Sequence, residues 1–100
     1  SESKRKKLKF KNNSNRYFSA YLRFEVMDKP GILSNITNIF FKNKVSIKRL
    51  VQNPNKEKKS SSIIVITHKS KDVDLKKILN EISKKKYNKK RPKLIRIDEI

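Results

Sequence analysis

An α+β domain, built as an antiparallel four-stranded sheet with two helices on one face, is the fold class this sequence predicts. Two segments whose apolar residues recur at helical spacing lie between segments of period two, in the order strand, helix, strand, strand, helix, strand. One segment, Ile63-Ile64-Val65-Ile66, is apolar on both faces, as only a covered strand can be. A chain of 100 residues holds one hydrophobic core, so a single fold carries all of it.

The elements follow in order. Residues 1–16 are Lys- and Asn-rich with isolated Leu8 and Phe10, and read as a basic linker or arm; the domain is 17–100. Phe18, Ala20, Leu22, Phe24 and Val26 alternate with Tyr17, Ser19, Tyr21, Arg23 and Glu25, which places five apolar side chains on one face of a first strand. Asp28-Lys29-Pro30-Gly31 ends it: Asp28 is expected to cap helix amides, Pro30 to sit in the first helical turn, and Gly31 to leave the backbone open. Ile32, Leu33, Ile36, Ile39 and Phe40 then mark one side of a helix that fades at Asn43. A second strand over 45–52 is expected to set Val45, Ile47 and Val51 on one side and Ser46, Lys48, Leu50 and Gln52 on the other. Asn53-Pro54-Asn55 and the Lys-rich stretch to Lys59 read as a turn, so that 60–68 returns as the partner of a hairpin. Ser70 and its neighbours supply helix-start residues, and Val73, Leu75, Ile78, Leu79 and Ile82 give a second amphipathic helix. Leu94-Ile95-Arg96-Ile97 closes the chain as a short strand. This is the ferredoxin-like βαββαβ order. Its helices can cover one face of the sheet, so the second face of Ile63-Ile64-Val65-Ile66 calls for another copy of the domain, a homodimer or higher homo-oligomer through the sheet.

The residue inventory argues against catalysis. There is no Cys, and His68 is the only His, so a thiolate nucleophile, a disulfide framework and a Cys/His metal site are excluded; no catalytic and no metal-binding residue is assigned. No apolar stretch reaches the roughly 20 residues that span a bilayer, and no signal core follows the charged N-terminus, so neither a membrane nor export is expected and a cytoplasmic location is. The opening on Ser1 and a charged tract fits a segment of a longer protein. A net charge of +19 raises nucleic acid as a partner. The excess lies mainly in 4–16 and 84–93, in tails and loops, and Lys far outnumbers Arg, which favours solvated surface over a binding site. RNA-recognition domains share this element order but stack bases on central-strand aromatics, and 60–68 has none, although Tyr17 and Tyr21 supply rings on the first strand.

The turn at residues 28–31 is the one feature suited to a ligand. A glycine at a helix start lets a ligand approach backbone amides, and the positive end of the helix favours a carboxylate, as an amino acid would offer. Taken alone, the same turn is an ordinary helix start.

In its setting the turn resembles a known family. Asp28-Lys29-Pro30-Gly31-Ile32-Leu33 after an alternating strand, with Val45-Ser46-Ile47 and Gln52 in the next, is similar to the ACT domain. Tyr21-Leu22-Arg23, Val51-Gln52, Ile66-Thr67-His68-Lys69 and Leu94-Ile95-Arg96-Ile97 extend the likeness to the C-terminal ACT domain of bacterial homoserine dehydrogenases, over residues 17–97. The resemblance implies a regulatory module that dimerises and binds an amino-acid effector, threonine in that enzyme family. Carried over position by position, the effector would meet Asp28, Pro30, Gly31, Ile32 and Leu33, with Ser46, Ile47 and Gln52 from the second strand, often that of a partner subunit. Many ACT domains have Asn where this chain has Ser46, which exchanges an amide with two donors and an acceptor for one hydroxyl. It also implies that the NAD(P) site and catalytic groups of the parent enzyme lie outside this segment, whose single glycine cannot form a Gly-rich phosphate loop. A domain that dimerises without a ligand, or a basic RNA-binding module, are the alternatives.

Overall fold

Alternation in 17–27 becomes an eleven-residue strand at the centre of the sheet in a computed structural model that describes residues 16–97. The elements are β1 (Tyr17–Met27), α1 (Ile32–Lys42), β2 (Ile47–Asn55), β3 (Ser60–Thr67), β4 (Ser70–Lys71), α2 (Asp72–Ser83) and β5 (Lys93–Ile97). β3 and β5 flank β1, β2 lies outside β3, and every pairing is antiparallel. With the two-residue β4 set aside, this is the ferredoxin-like βαββαβ arrangement that the periodicity predicts. The expected arm falls outside the described residues except for Arg16, as do residues 98–100.

The core lies between the sheet and the helices. Ala20, Leu22, Phe24 and Val26 of β1 meet Ile63 and Val65 of β3, Ile32, Ile36, Ile39 and Phe40 of α1, and Leu75, Ile78 and Ile82 of α2, all of them buried. Phe24 and Phe40 pack edge to face with centroids 6.1 Å apart. None of the described helices is long and apolar enough to cross a membrane.

Several expectations require correction. Strict alternation in the second strand fails because Lys48 is an extra residue: Ile47 pairs with Thr67 and Arg49 with Ile66. After this bulge Leu50 and Gln52 lie opposite the inward-facing Val65 and Ile63, while Val51 lies opposite Ile64 and is exposed. The strand also runs through Asn53, Pro54 and Asn55 instead of turning there, and the turn is confined to residues 56–59. Pro54 is tolerated because β2 is an edge strand. In α2 the buried face is Asp72, Leu75, Ile78 and Ile82, and Val73 is exposed. Ser70 does not start that helix; it pairs with Phe18, and the Asp72 N–H donates to the Arg16 carbonyl at 3.1 Å. Asp72 is buried beside Lys76 Nζ at 3.2 Å and Arg96 Nη2 at 3.5 Å.

Candidate functional site

The end of β1 is held from both sides. Met27 N–H donates to the Tyr87 carbonyl at 2.9 Å and Asp28 N–H to the Lys59 carbonyl at 3.0 Å. The chain then turns over Lys29-Pro30-Gly31-Ile32, where Ile32 N–H reaches the Lys29 carbonyl at 3.4 Å. Gly31 has φ 86 and ψ −13, the third-position geometry of a type II turn, for which Pro is favoured just before and Gly is required. Pro30 therefore belongs to the turn and not to the first turn of α1. Asp28 is no cap either: Gly31 is the N-cap, and among the described residues no side-chain hydrogen bond caps the helix start. The first helical bond runs from Asn35 N–H to the Gly31 carbonyl at 3.0 Å, so the amides of Leu33 and Ser34 precede it, where a helix has donors without intrahelical acceptors.

The start of the helix, as far as Leu33, borders a cleft of about 370 Å³. Asp28, Lys29, Pro30, Gly31, Ile32 and Leu33 form one wall, Gln52 of β2 stands opposite, and Val26, Met27, Ser61 and Ile63 of the neighbouring strands complete it. The bulge at Lys48 is what brings Gln52 to this face, because regular alternation from Ile47 would send it to the other. Six of the sequence-predicted residues, Asp28, Pro30, Gly31, Ile32, Leu33 and Gln52, thus share one cleft. Ser46 and Ile47 do not join them within this chain. They line an open, largely apolar cleft of about 740 Å³ at the C-terminal end of α1, with Phe40, Phe41 and Val45.

Ser61 is the member that sequence reasoning missed. It is 2% exposed, and its Oγ has no hydrogen-bond partner among the described residues. A polar residue in phase with Ile63, Val65 and Thr67 was the available signal. Glu25, three residues before Asp28, faces the opposite side of the sheet, where its carboxylate accepts from Ser62 Oγ at 2.7 Å and Arg23 Nε at 2.9 Å. Burial raises its pKa, but these bonds and the nearby Arg23 and Lys90 charges outweigh that and hold it below the ordinary value. His68 is exposed, and no group of three His, Cys, Asp or Glu among the described residues could hold a metal ion.

Comparison with known proteins agrees with this fold. The model of the ACT domain family matches residues 20–86. Homoserine dehydrogenase of Bacillus subtilis (strain 168) is 31% identical over 74 residues, which cover 73% of this chain and 17% of that protein. The crystal structure of a homoserine dehydrogenase from Thiobacillus denitrificans matches with a TM-score of 0.77 at 24% identity, over 87% of this chain and 19% of that one. The ACT domain from GTP pyrophosphokinase of Chlorobium tepidum matches with a TM-score of 0.63 at 18% identity, over 81% of this chain and 99% of that domain. The chain therefore spans only a small part of the two homoserine dehydrogenases, and at these identities the two solved structures bear on the fold alone. With its fold, its strand-to-helix turn and the family match over residues 20–86 in agreement, the chain belongs to the ACT domain family.

Proposed function

We propose that this chain is the regulatory domain of a homoserine dehydrogenase, that it binds an amino acid, threonine, in the cleft beside residues 28–33, and that it pairs with a second copy through its sheet. The observation that carries the reading is the uncapped start of α1 opening on a cleft closed by Gln52. The effector carboxylate accepts hydrogen bonds from the amides at the helix start, where the dipole favours negative charge. The Asp28 carboxylate attracts the ammonium group, and the Gln52 amide supplies donors and an acceptor at the rim. Ser46 and Ile47, just before and at the first residue of β2, belong to such a site only if a partner subunit contributes them.

The open sheet face supports pairing. Ile64, Ile66 and Tyr21 are half-buried there, beside Val51 at 38% and Ile95 at 56% exposure. Apolar surface of this kind favours association once a second copy covers it. That face also favours the second reading, a domain that dimerises and binds nothing. A role with RNA has less support, because β3 presents Ser62, Ile64 and Ile66 to the open face and no aromatic ring. NAD(P) and the oxidoreductase chemistry belong to the catalytic part of the proposed parent enzyme.

The test is calorimetric titration of the chain, at a concentration where sedimentation shows a dimer, with threonine and a panel of other amino acids. Saturable, stereospecific binding that Gln52→Ala weakens is expected. A folded dimer that takes up no amino acid would leave the ligand-free reading.

A further inference from the structure

The buried hydroxyl of Ser61 has a chemical reason for lacking a partner. On β3 it lies opposite Val26 of β1 and Pro54 of β2. Val26 has an apolar side chain, and Pro54 has neither a side-chain polar group nor a backbone N–H. A hydroxyl that both donates and accepts is therefore enclosed by neighbours that can do neither through their side chains, and such a group is destabilising until something bonds to it.

The cleft is graded in polarity. Its rim holds the exposed Asp28, Lys29 and Gln52, whereas Val26, Ile63 and Ser61 are at most 2% exposed. Charged ends of an amino acid suit the rim and the helix start. Its side chain is left with an apolar floor, in which Ser61 is buried.

We infer that Ser61 is a specificity-determining residue that hydrogen-bonds a hydroxyl on the ligand's side chain, so that the cleft selects a short hydroxyl-bearing amino acid over its aliphatic isostere. The inference rests on the proposed amino-acid site and deepens it. Threonine and valine have nearly the same shape, so packing alone separates them weakly. A bond to the Ser61 hydroxyl separates them because valine leaves it as unpartnered as in the free protein. Nothing in the contact requires a charge, which distinguishes it from recognition of the carboxylate or ammonium group.

Threonine, serine and valine are titrated calorimetrically into the dimeric protein and its Ser61→Ala variant, with thermal unfolding of both ligand-free proteins alongside. The native protein is expected to bind threonine about tenfold or more tighter than valine. Ser61→Ala should bring threonine down to the affinity of valine, leave valine unchanged, and unfold at a temperature no lower than the native protein, since it removes an unpartnered hydroxyl. A variant that keeps the native threonine preference, or a native protein that binds threonine and valine alike, overturns the role of Ser61 while the amino-acid site stands. Failure of the native protein to bind any of the three overturns both.

Discussion

At Thr67 the side chain is fully buried, and its Oγ accepts the Ala20 N–H at 3.1 Å. The bond repairs an irregularity. Between the pairs Tyr21↔Ile66 and Phe18↔Ser70, β1 advances three residues while the opposing chain advances four, so the backbone ladder between β3 and β4 is interrupted beside Ala20. Thr67→Val keeps the volume and removes the acceptor. It is expected to lower stability by about 1–3 kcal/mol in denaturant unfolding, and a variant as stable as the native protein would show that the amide finds another partner. Gly31 is a different case. A Cβ built there meets nothing within 4 Å, so its requirement comes from φ 86 and not from crowding. Ser61 and Thr67 share one face of β3 as polar residues among apolar ones: Thr67 has a structural partner, and Ser61 has none among the described residues.

Among the elements, β2 shows how one residue alters a face. With Lys48 bulged out, Leu50 packs against the core and Val51 stands on the open face. Leu50→Ala should therefore cost about 2 kcal/mol in the unfolding of the monomer, and Val51→Ala about 0.5 kcal/mol or less. The reverse ranking would mean that strict alternation from Val45 is correct after all. Two carboxylates tie elements together. Glu25 joins β1 to Ser62 of β3, and Glu81 of α2 accepts from Lys42 Nζ of α1 at 2.8 Å. Glu81 is held below its ordinary value by the Lys42 hydrogen bond, against a smaller opposing effect of burial. Both carboxyl groups are easier to ionise in the folded chain than in the unfolded one, whose ordinary value is 4.5. Their contribution is therefore present above that value and is lost as pH falls through the lower folded value. The melting temperature should fall as the pH is taken from about 5 to about 3, and Glu25→Gln with Glu81→Gln should lessen the fall. Because both pairs are partly solvated, the effect should also shrink in high salt.

On the scale of the whole molecule, the helices cover one side of the sheet and leave the other open. Two cross-strand rows on that side, Arg49-Ile66-Tyr21-Ile95 and Val51-Ile64-Arg23-Lys93, mix apolar and basic side chains. The proposed dimer would bury the apolar members, while a net charge of +19 on each copy opposes the approach. Self-association measured by sedimentation equilibrium should strengthen with added salt and should be lost in Ile66→Lys, with the monomer remaining folded. A monomeric native protein at every concentration would exclude pairing through this face.

Local order was legible in the sequence. β1, α1, the hairpin partner β3 and the ferredoxin-like order follow from periods of 2 and 3.6, because each element buries one face and its neighbours in sequence report that face directly. The turn at residues 28–31 was legible as the break between strand and helix, through Pro30 and Gly31. Tertiary structure alone decided what depends on pairing between distant segments. The bulge at Lys48 reveals itself only in the register against β3, and with it the placement of Gln52. Burial of Asp72 depends on Arg96, which is far off in the chain, and the isolation of Ser61 on its neighbours Val26 and Pro54. Composition and period describe a residue's own segment, whereas the partners of a buried polar group are set by whichever strand or helix the fold lays beside it.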